Sequence, residues 1–211
     1  MRRIAPLLML AILVTSIAGV VVVRWQEWAP SSLVVRSVLI SIYLGWLGWE
    51  GTISLRDAQR PAPDSDRFTN EVYALAHGAT ILGTLWFAEA ETSRTLILVG
   101  TMVFLLGISL RVVAIRTLGA MYSHRARLTN KHELVTRGPY RWIRHPAYSA
   151  MLTIHLGASL AFSSPAGGIL TISLLLPAII WRIVVEEKLL RQIRGYEDYC
   201  LRTARLIPRV W

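Results

Sequence analysis

The chain has one cysteine among its 211 residues, Cys200. It can close no intrachain disulfide and build no cysteine-rich metal site. Charge is scarce as well: 17% of residues are Asp, Glu, Lys or Arg, against about 25% in an ordinary soluble domain. Internal repeats and low-complexity tracts are missing. What fills the sequence instead is apolar, with 54% hydrophobic residues and a mean hydropathy of +0.46. That balance excludes a disordered chain, a disulfide scaffold and most soluble enzymes. The net charge of +10 would suggest nucleic acid if the basic residues shared a soluble face. Here they punctuate apolar runs, so the expected partner is a lipid bilayer and not nucleic acid.

A membrane-crossing helix needs about 20 mostly apolar residues. Such runs occupy Ile4–Val23, Leu33–Leu55, Val72–Ala88, Thr95–Leu118, Pro146–Phe162 and Gly167–Val185. The first follows Arg2 and Arg3 and resembles a signal peptide, with Ser16-Ile17-Ala18 as a weak cleavage site. The run continues past that site, so it reads as a retained helix. The expected fold is all-α: a polytopic integral membrane protein of about six transmembrane helices. Arg60–Phe68 reads as a loop between spans two and three, and Ser163–Gly167 as a tight turn between spans five and six.

Basic residues set the orientation. With the N-terminus in the cytoplasm, 20 of the 23 Lys and Arg residues fall on the cytoplasmic side, and only Arg24, Arg36 and Arg94 fall opposite. Both termini and the polar stretch Gly119–His145 are therefore expected inside. Most juxtamembrane arginines read as anchors at an anionic leaflet. His77 and His155 are single histidines on apolar spans and read as helix-packing contacts, with no metal, because no further ligands stand at suitable spacing. Glu50 reads as a carboxylate near the interface, and Pro177 as a kink in span six. Leu189, Leu190, Ile193, Tyr196 and Cys200 share one face of the tail, which reads as an interfacial helix.

Chemistry concentrates near the C-terminus. Residues 132–148 read HELVTRGPYRWIRHPAY, followed by Arg182, Glu186 and Glu187, then Gly195–Tyr199, then Arg205–Pro208. Gly138-Pro139 is a turn. Pro146 suits the first position of a helix, where its missing N–H costs nothing, and such a helix start can hold an anion. Tyr140, Trp142 and Tyr148 offer aromatic faces to a cation or a flat base. Arg182 and Glu186 share a helix face, at a depth where ionisable groups are functional candidates. The plainer reading is a pair of ion pairs, Arg182–Glu186 and Glu187–Arg191, anchoring a helix end.

Together these elements, in this order, resemble the isoprenylcysteine carboxyl methyltransferase family, to which phospholipid N-methyltransferases are related. The resemblance runs from about Leu118 to Pro208. It implies a methyltransferase core at 118–211, comprising the cytoplasmic cofactor segment, two transmembrane helices and the interfacial helix, preceded by four transmembrane helices in 1–117. The cofactor implied is S-adenosyl-L-methionine (SAM), leaving as S-adenosyl-L-homocysteine. It would be bound on the cytoplasmic side by His132, Glu133, Leu134, Val135, Tyr140, His145, Pro146, Ala147, Tyr148 and Glu186. Arg182 would lie toward a lipophilic acceptor entering from the membrane. Ala147, Ser149 and the Gly195–Tyr199 segment depart slightly from the family pattern.

The acceptor decides what else is needed. A carboxylate is ionised at neutral pH and needs only a positive partner, which Arg182 can supply in bidentate form. An amine would need a base, and Glu187 or His145 could serve. The expected function is carboxyl O-methylation of an isoprenylcysteine-like acceptor, with Arg182 and Glu187 as the catalytic candidates. The alternatives are a phospholipid amine or thiol methyltransferase, a membrane NADPH-dependent reductase of related fold, and a non-enzymatic protein that kept the fold.

Overall fold

A computed structural model describes residues 5–59, 68–125, 134–208 and 210–211. In chain order the helices are α1 (Ala5–Arg24), α2 (Pro30–Ala58), α3 (Thr69–Trp86), α4 (Arg94–Leu118), α5 (Pro146–Ala161), α6 (Pro165–Leu170), α7 (Leu176–Leu190) and α8 (Tyr196–Arg202). A five-residue π turn, Thr171–Leu175, joins α6 and α7 into one rod. Among the described residues the β pairing is a lone bridge between Ile143 and Ala204, so the fold is all-α, and the described part of each of the six apolar runs is helical but for a residue or two at its end. The expected loop Arg60–Phe68 lies outside the described residues except for Phe68.

Four segments are long and apolar enough to cross a membrane: Leu8–Glu27, Pro30–Asp57, Arg94–Met121 and Pro165–Leu190. The other two helices, α3 and α5, have 18 and 16 residues. At 1.5 Å per residue they reach only about 27 and 24 Å, short of a hydrocarbon core of about 30 Å. α5 is tolerated at that length because protein covers most of it: Ala150, Met151, Ile154 and His155 are all buried, while Leu156 and Leu160 are exposed. α4 lies against it with almost no side-chain spacer. A Cβ on Gly107 would fall 2.7 Å from the Ile154 nitrogen, and one on Gly100 or Gly157 would overlap the facing backbone. Small residues at a lipid-embedded interface let dispersion contacts replace the missing hydrophobic drive.

One apolar core draws on both halves of the chain. Ile17 of α1, Leu39 and Trp46 of α2, Ile81 and Leu85 of α3, Phe104 of α4, Met151 of α5 and Ile179 of α7 all belong to it. α1 is the peripheral member, with Leu8, Ile12, Val22 and Val23 exposed. Pro177 stands in the first turn of α7, just after the π turn. A proline has no N–H to donate and its ring crowds the carbonyl four residues back. The wider π turn is where that defect is absorbed.

The two ends of the bundle are finished differently. At one end, Arg24 donates to the Ala88 carbonyl at 2.7 Å and the Ala29 N–H to the Ala90 carbonyl at 3.0 Å. There Ser164 caps α6 by accepting from the Gly167 N–H at 3.3 Å, which is the turn expected at Ser163–Gly167. The other end collects the inner ends of α2, α4 and α7, the start of α5 and the tail, around a cavity.

Candidate active site

The cavity, about 130 Å³ in volume, is walled by residues of α3, α4, α5 and α7, of the stretch after α4, of the Gly138–Arg141 turn and of the tail. Of the residues expected from the sequence, Leu134, Val135, Tyr140, His145, Ala147, Tyr148, Arg182 and Glu186 line it together. His132 and Glu133 lie outside the described residues. Pro146 begins α5, and its contribution is to the backbone. Glu187 points elsewhere: its carboxylate takes Arg144 Nε at 3.1 Å, Arg205 Nη2 at 2.9 Å and His145 Nε2 at 3.4 Å.

The centre of the cavity is a phenol between opposite charges. Tyr148 OH donates to Glu186 Oε1 at 2.5 Å and accepts from Arg182 Nε at 2.6 Å. Arg182 and Glu186 also pair directly at 3.3 Å, one turn apart on α7. This is the i,i+4 pair anticipated from the sequence. Arg182 is buried; it donates as well to Thr69 Oγ1 at 3.1 Å and to the His124 carbonyl. His145 Nδ1 stands 3.7 Å from Glu186 Oε2.

The start of α5 is built as expected, with His145 as the cap and Pro146 first in the helix. Its donors are mostly occupied, however. Proline has none, and both Tyr148 and Ser149 donate back to the His145 carbonyl, at 3.0 and 3.2 Å. The anion site anticipated there narrows to little more than the Ala147 N–H. The turn before it is pinned by the tail: Arg144 N–H and His145 N–H donate to the carbonyls of Ala204 and Arg205 at 2.8 and 3.0 Å. Arg144 also reaches the Cys200 carbonyl at 2.9 Å.

That tail differs from a single amphipathic helix. α7 ends at Leu190 and α8 begins at Tyr196, with Gly195 in the left-handed region at φ 83°. An L side chain is strained in that conformation, and glycine is not. Leu189, Leu190, Ile193 and Tyr196, the face expected to meet lipid, form a wall of the cavity. Tyr199 OH donates to the Tyr140 carbonyl at 2.6 Å, which holds α8 against the Gly138–Arg141 turn. Burial pushes the Tyr199 phenol up to about 12. It drives that of Tyr140 up too, with Glu186 adding and Arg111 opposing. Both therefore stay protonated, and that of Tyr199 is the donor to the Tyr140 carbonyl.

Several contributors came from outside the sequence-based set. Arg111 of α4 lines the cavity, makes a bidentate pair with Glu50 of α2 at 2.6 and 2.9 Å, and donates to the Ala147 carbonyl at 2.9 Å. Asp57 accepts from the His124 N–H at 2.7 Å, fixing the strand of chain after α4. Burial lowers the His124 imidazole against the pull of Glu50, so this cavity residue is neutral at physiological pH. The signal available in the sequence was depth. Glu50 and Arg111 each lie about two turns from the same end of their helices, and opposite charges at matched depth in a membrane pair. His77 meets Tyr43 OH at 2.5 Å and its ring lies 5.0 Å from that of His155, a helix-packing cluster as expected.

The family model of the isoprenylcysteine carboxyl methyltransferase (ICMT) family matches residues 98–192. A probable protein-S-isoprenylcysteine O-methyltransferase of Oryza sativa subsp. indica is 30% identical over 128 residues, covering 59% of this chain and 67% of that protein. Protein-S-isoprenylcysteine O-methyltransferase B of Arabidopsis thaliana is 33% identical over 120 residues, 53% of this chain and 58% of its own. A solved structure of the eukaryotic intramembrane Ras methyltransferase ICMT aligns with 96% of this chain and 98% of that chain, at 20% identity and a TM-score of 0.48. Extent and identity of the rice relative, with the family match across α4 to α7, place the chain in the isoprenylcysteine carboxyl methyltransferase family of membrane enzymes.

Proposed function

We infer that this methyltransferase uses SAM to methylate the carboxylate of an isoprenylcysteine-like lipophilic acceptor that enters from the bilayer, in a cavity facing the cytoplasm. One observation carries the reading: Glu186 and Arg182 stand on either side of the Tyr148 hydroxyl, at 2.5 and 2.6 Å. When bound, SAM supplies a methyl group on a sulfonium cation and departs as the neutral thioether S-adenosyl-L-homocysteine. A carboxylate facing the donor and a guanidinium facing the acceptor match that pair of reactants. Glu186 and the faces of Tyr140 and Tyr148 suit the cationic donor, with Leu134, Val135 and the apolar face of α7 and the tail against its flat part. His145 and the Ala147 N–H remain for its carboxylate.

Arg182 holds the acceptor's anion and aligns an oxygen of it, exchanging contacts with neutral partners such as the His124 carbonyl for a charged one. The acceptor's oxygen pair forms the new bond to carbon while the old bond's pair stays on sulfur, so no proton moves and no base is required. Glu187, engaged with Arg144 and Arg205, then serves to hold the tail and not as a base. Alignment and exclusion of water are the remaining contributions. The cytoplasmic orientation rests on the 20-to-3 distribution of basic residues, with the cavity at the richer end.

Methyl transfer measured against pH with a prenylcysteine analogue and with phosphatidylethanolamine tests the acceptor. The carboxylate profile should be flat from about pH 6 upward, since the α-carboxyl is ionised throughout. Arg182→Lys keeps the charge and loses the planar fork. It should lower turnover and raise the acceptor KM while SAM affinity stays near wild type. A rising profile on the amine lipid, with Arg182→Lys as active as wild type, would overturn the reading.

A further inference from the structure

We propose that Glu50, in the second helix and far in sequence from the methyltransferase motif, is a positioning residue for methyl transfer. It holds the Arg111 guanidinium against the first turn of α5 and away from Glu186. The proposal rests on the reading of the cavity as a SAM site.

Arg111 is buried, yet it lines the same cavity as Glu186. Both charges reach far enough to act on the buried phenol of Tyr140, in opposite directions. Glu186 is the only carboxylate among the described residues that line the cavity. A second cation free to turn toward it would compete with a cationic donor for its charge. Between groups as buried as Arg111 and Tyr140, such attraction is weakly screened and long in reach. Glu50 removes the competition. It takes Nε and Nη2 of Arg111 in a bidentate pair, 2.6 and 2.9 Å, and leaves Nη1 to donate to the Ala147 carbonyl at 2.9 Å. The guanidinium plane is fixed further by the Tyr122 ring, 5.8 Å away.

Ala147 stands between Pro146 and Tyr148, so its carbonyl is a handle on the turn that presents both His145 and Tyr148 to the cavity. Glu50 also faces His124, whose Nε2 is 3.9 Å from Oε2 and whose carbonyl accepts from Arg182. One carboxylate on α2 thus reaches the donor side through Arg111 and the acceptor side through His124. A mere strut between α2 and α4 would need neither the Ala147 contact nor a place on the cavity wall.

The test is a charge cycle read by SAM affinity and by turnover in nanodiscs. Glu50→Gln frees Arg111 and should weaken SAM binding at least tenfold by calorimetry. Glu50→Gln with Arg111→Gln removes the competing cation along with its partner. Affinity should return to within threefold of wild type, while kcat stays at least tenfold down because the Ala147 handle is lost. Glu50→Asp should bind within threefold. A purely structural pair moves both readouts together: relieving the unpaired charge in the double variant would restore kcat along with affinity. A double variant that binds as weakly as Glu50→Gln, or a folded Glu50→Gln that binds as wild type, overturns the proposal. If Glu50→Gln does not fold, the double variant decides: wild-type kcat overturns the proposal, and recovered affinity with depressed kcat sustains it. Wild-type protein that binds no SAM condemns the cavity reading and this proposal together, whereas normal wild-type binding with unmoved variants condemns the proposal alone.

Discussion

Arg36 and Arg182 are equally hidden, at 0% and 1% exposure, and lie at opposite ends of the bundle. Arg36 sits between the rings of Trp28 and Phe162, 5.2 and 5.5 Å from its guanidinium carbon. It donates to the Glu89 carbonyl at 2.8 Å and to Thr92 Oγ1 at 2.5 Å. Its Nε and Nη1 find no hydrogen-bond partner among the described residues, and the aromatic faces stand in their place. Arg182 instead shares a phenol with a carboxylate beside an open cavity. A cation balanced by neutral dipoles and rings can only close an end. A cation balanced by a movable partner in a cavity can exchange that partner for a ligand. Buried arginine is therefore a weak sign of function until its neighbours are known.

The contrast can be broken in steps. The largest effect should come from Glu187→Gln, which leaves Arg144 and Arg205 without their shared carboxylate. Removing one partner of a buried charge cluster costs about 3–5 kcal/mol. Arg205 is partly exposed, at 30% of its side chain, so the lower end of that range is expected. Unfolding in denaturant should register the loss, and the tail from Ala204 onward should become open to protease. Unchanged stability would mean that the tail does not hold the His145 turn.

A smaller effect, confined to the cavity, is expected from Glu186→Gln. It preserves shape and removes the charge that the donor would meet. SAM affinity should fall by roughly 1–3 kcal/mol, the worth of a hydrogen bond to a charged group, with unfolding little altered. Calorimetry that finds the same affinity in the variant would move the donor's cation away from α7. The smallest effect on the site belongs to Arg36→Met. It should cost stability, about 1–2 kcal/mol for lost hydrogen bonds and ring contacts, and leave SAM affinity where it was. A change in affinity there would erase the distinction between the two ends.

How far the sequence reaches can be followed in particular residues. The pair Arg182–Glu186 was legible because a helix puts residues four apart on one face. The start of α5 was legible because proline tolerates few other helical positions. The single interfacial helix in the tail was not, since a regular apolar stripe gives no sign of whether lipid or a cavity faces it. Gly195 carried the break, but glycine alone also fits an uninterrupted surface helix. Glu50 passed for an interfacial charge because nothing local tells a carboxylate at the headgroups from one paired inside the bundle.

Hydropathy, short-range spacing and the order of motifs are properties of the chain itself. They determined six helical runs, an uneven distribution of basic charge and a family membership. Which helix meets which is set by packing across distances that no window of sequence contains. Only the tertiary structure brought Glu50 to Arg111, 61 residues away, and Thr69 to Arg182, 113 residues away. It also turned Glu187 to the tail while its neighbour Glu186 faces the cavity. Successive positions on a helix point about 100° apart, so two adjacent glutamates read alike in sequence and part company once the helix is packed.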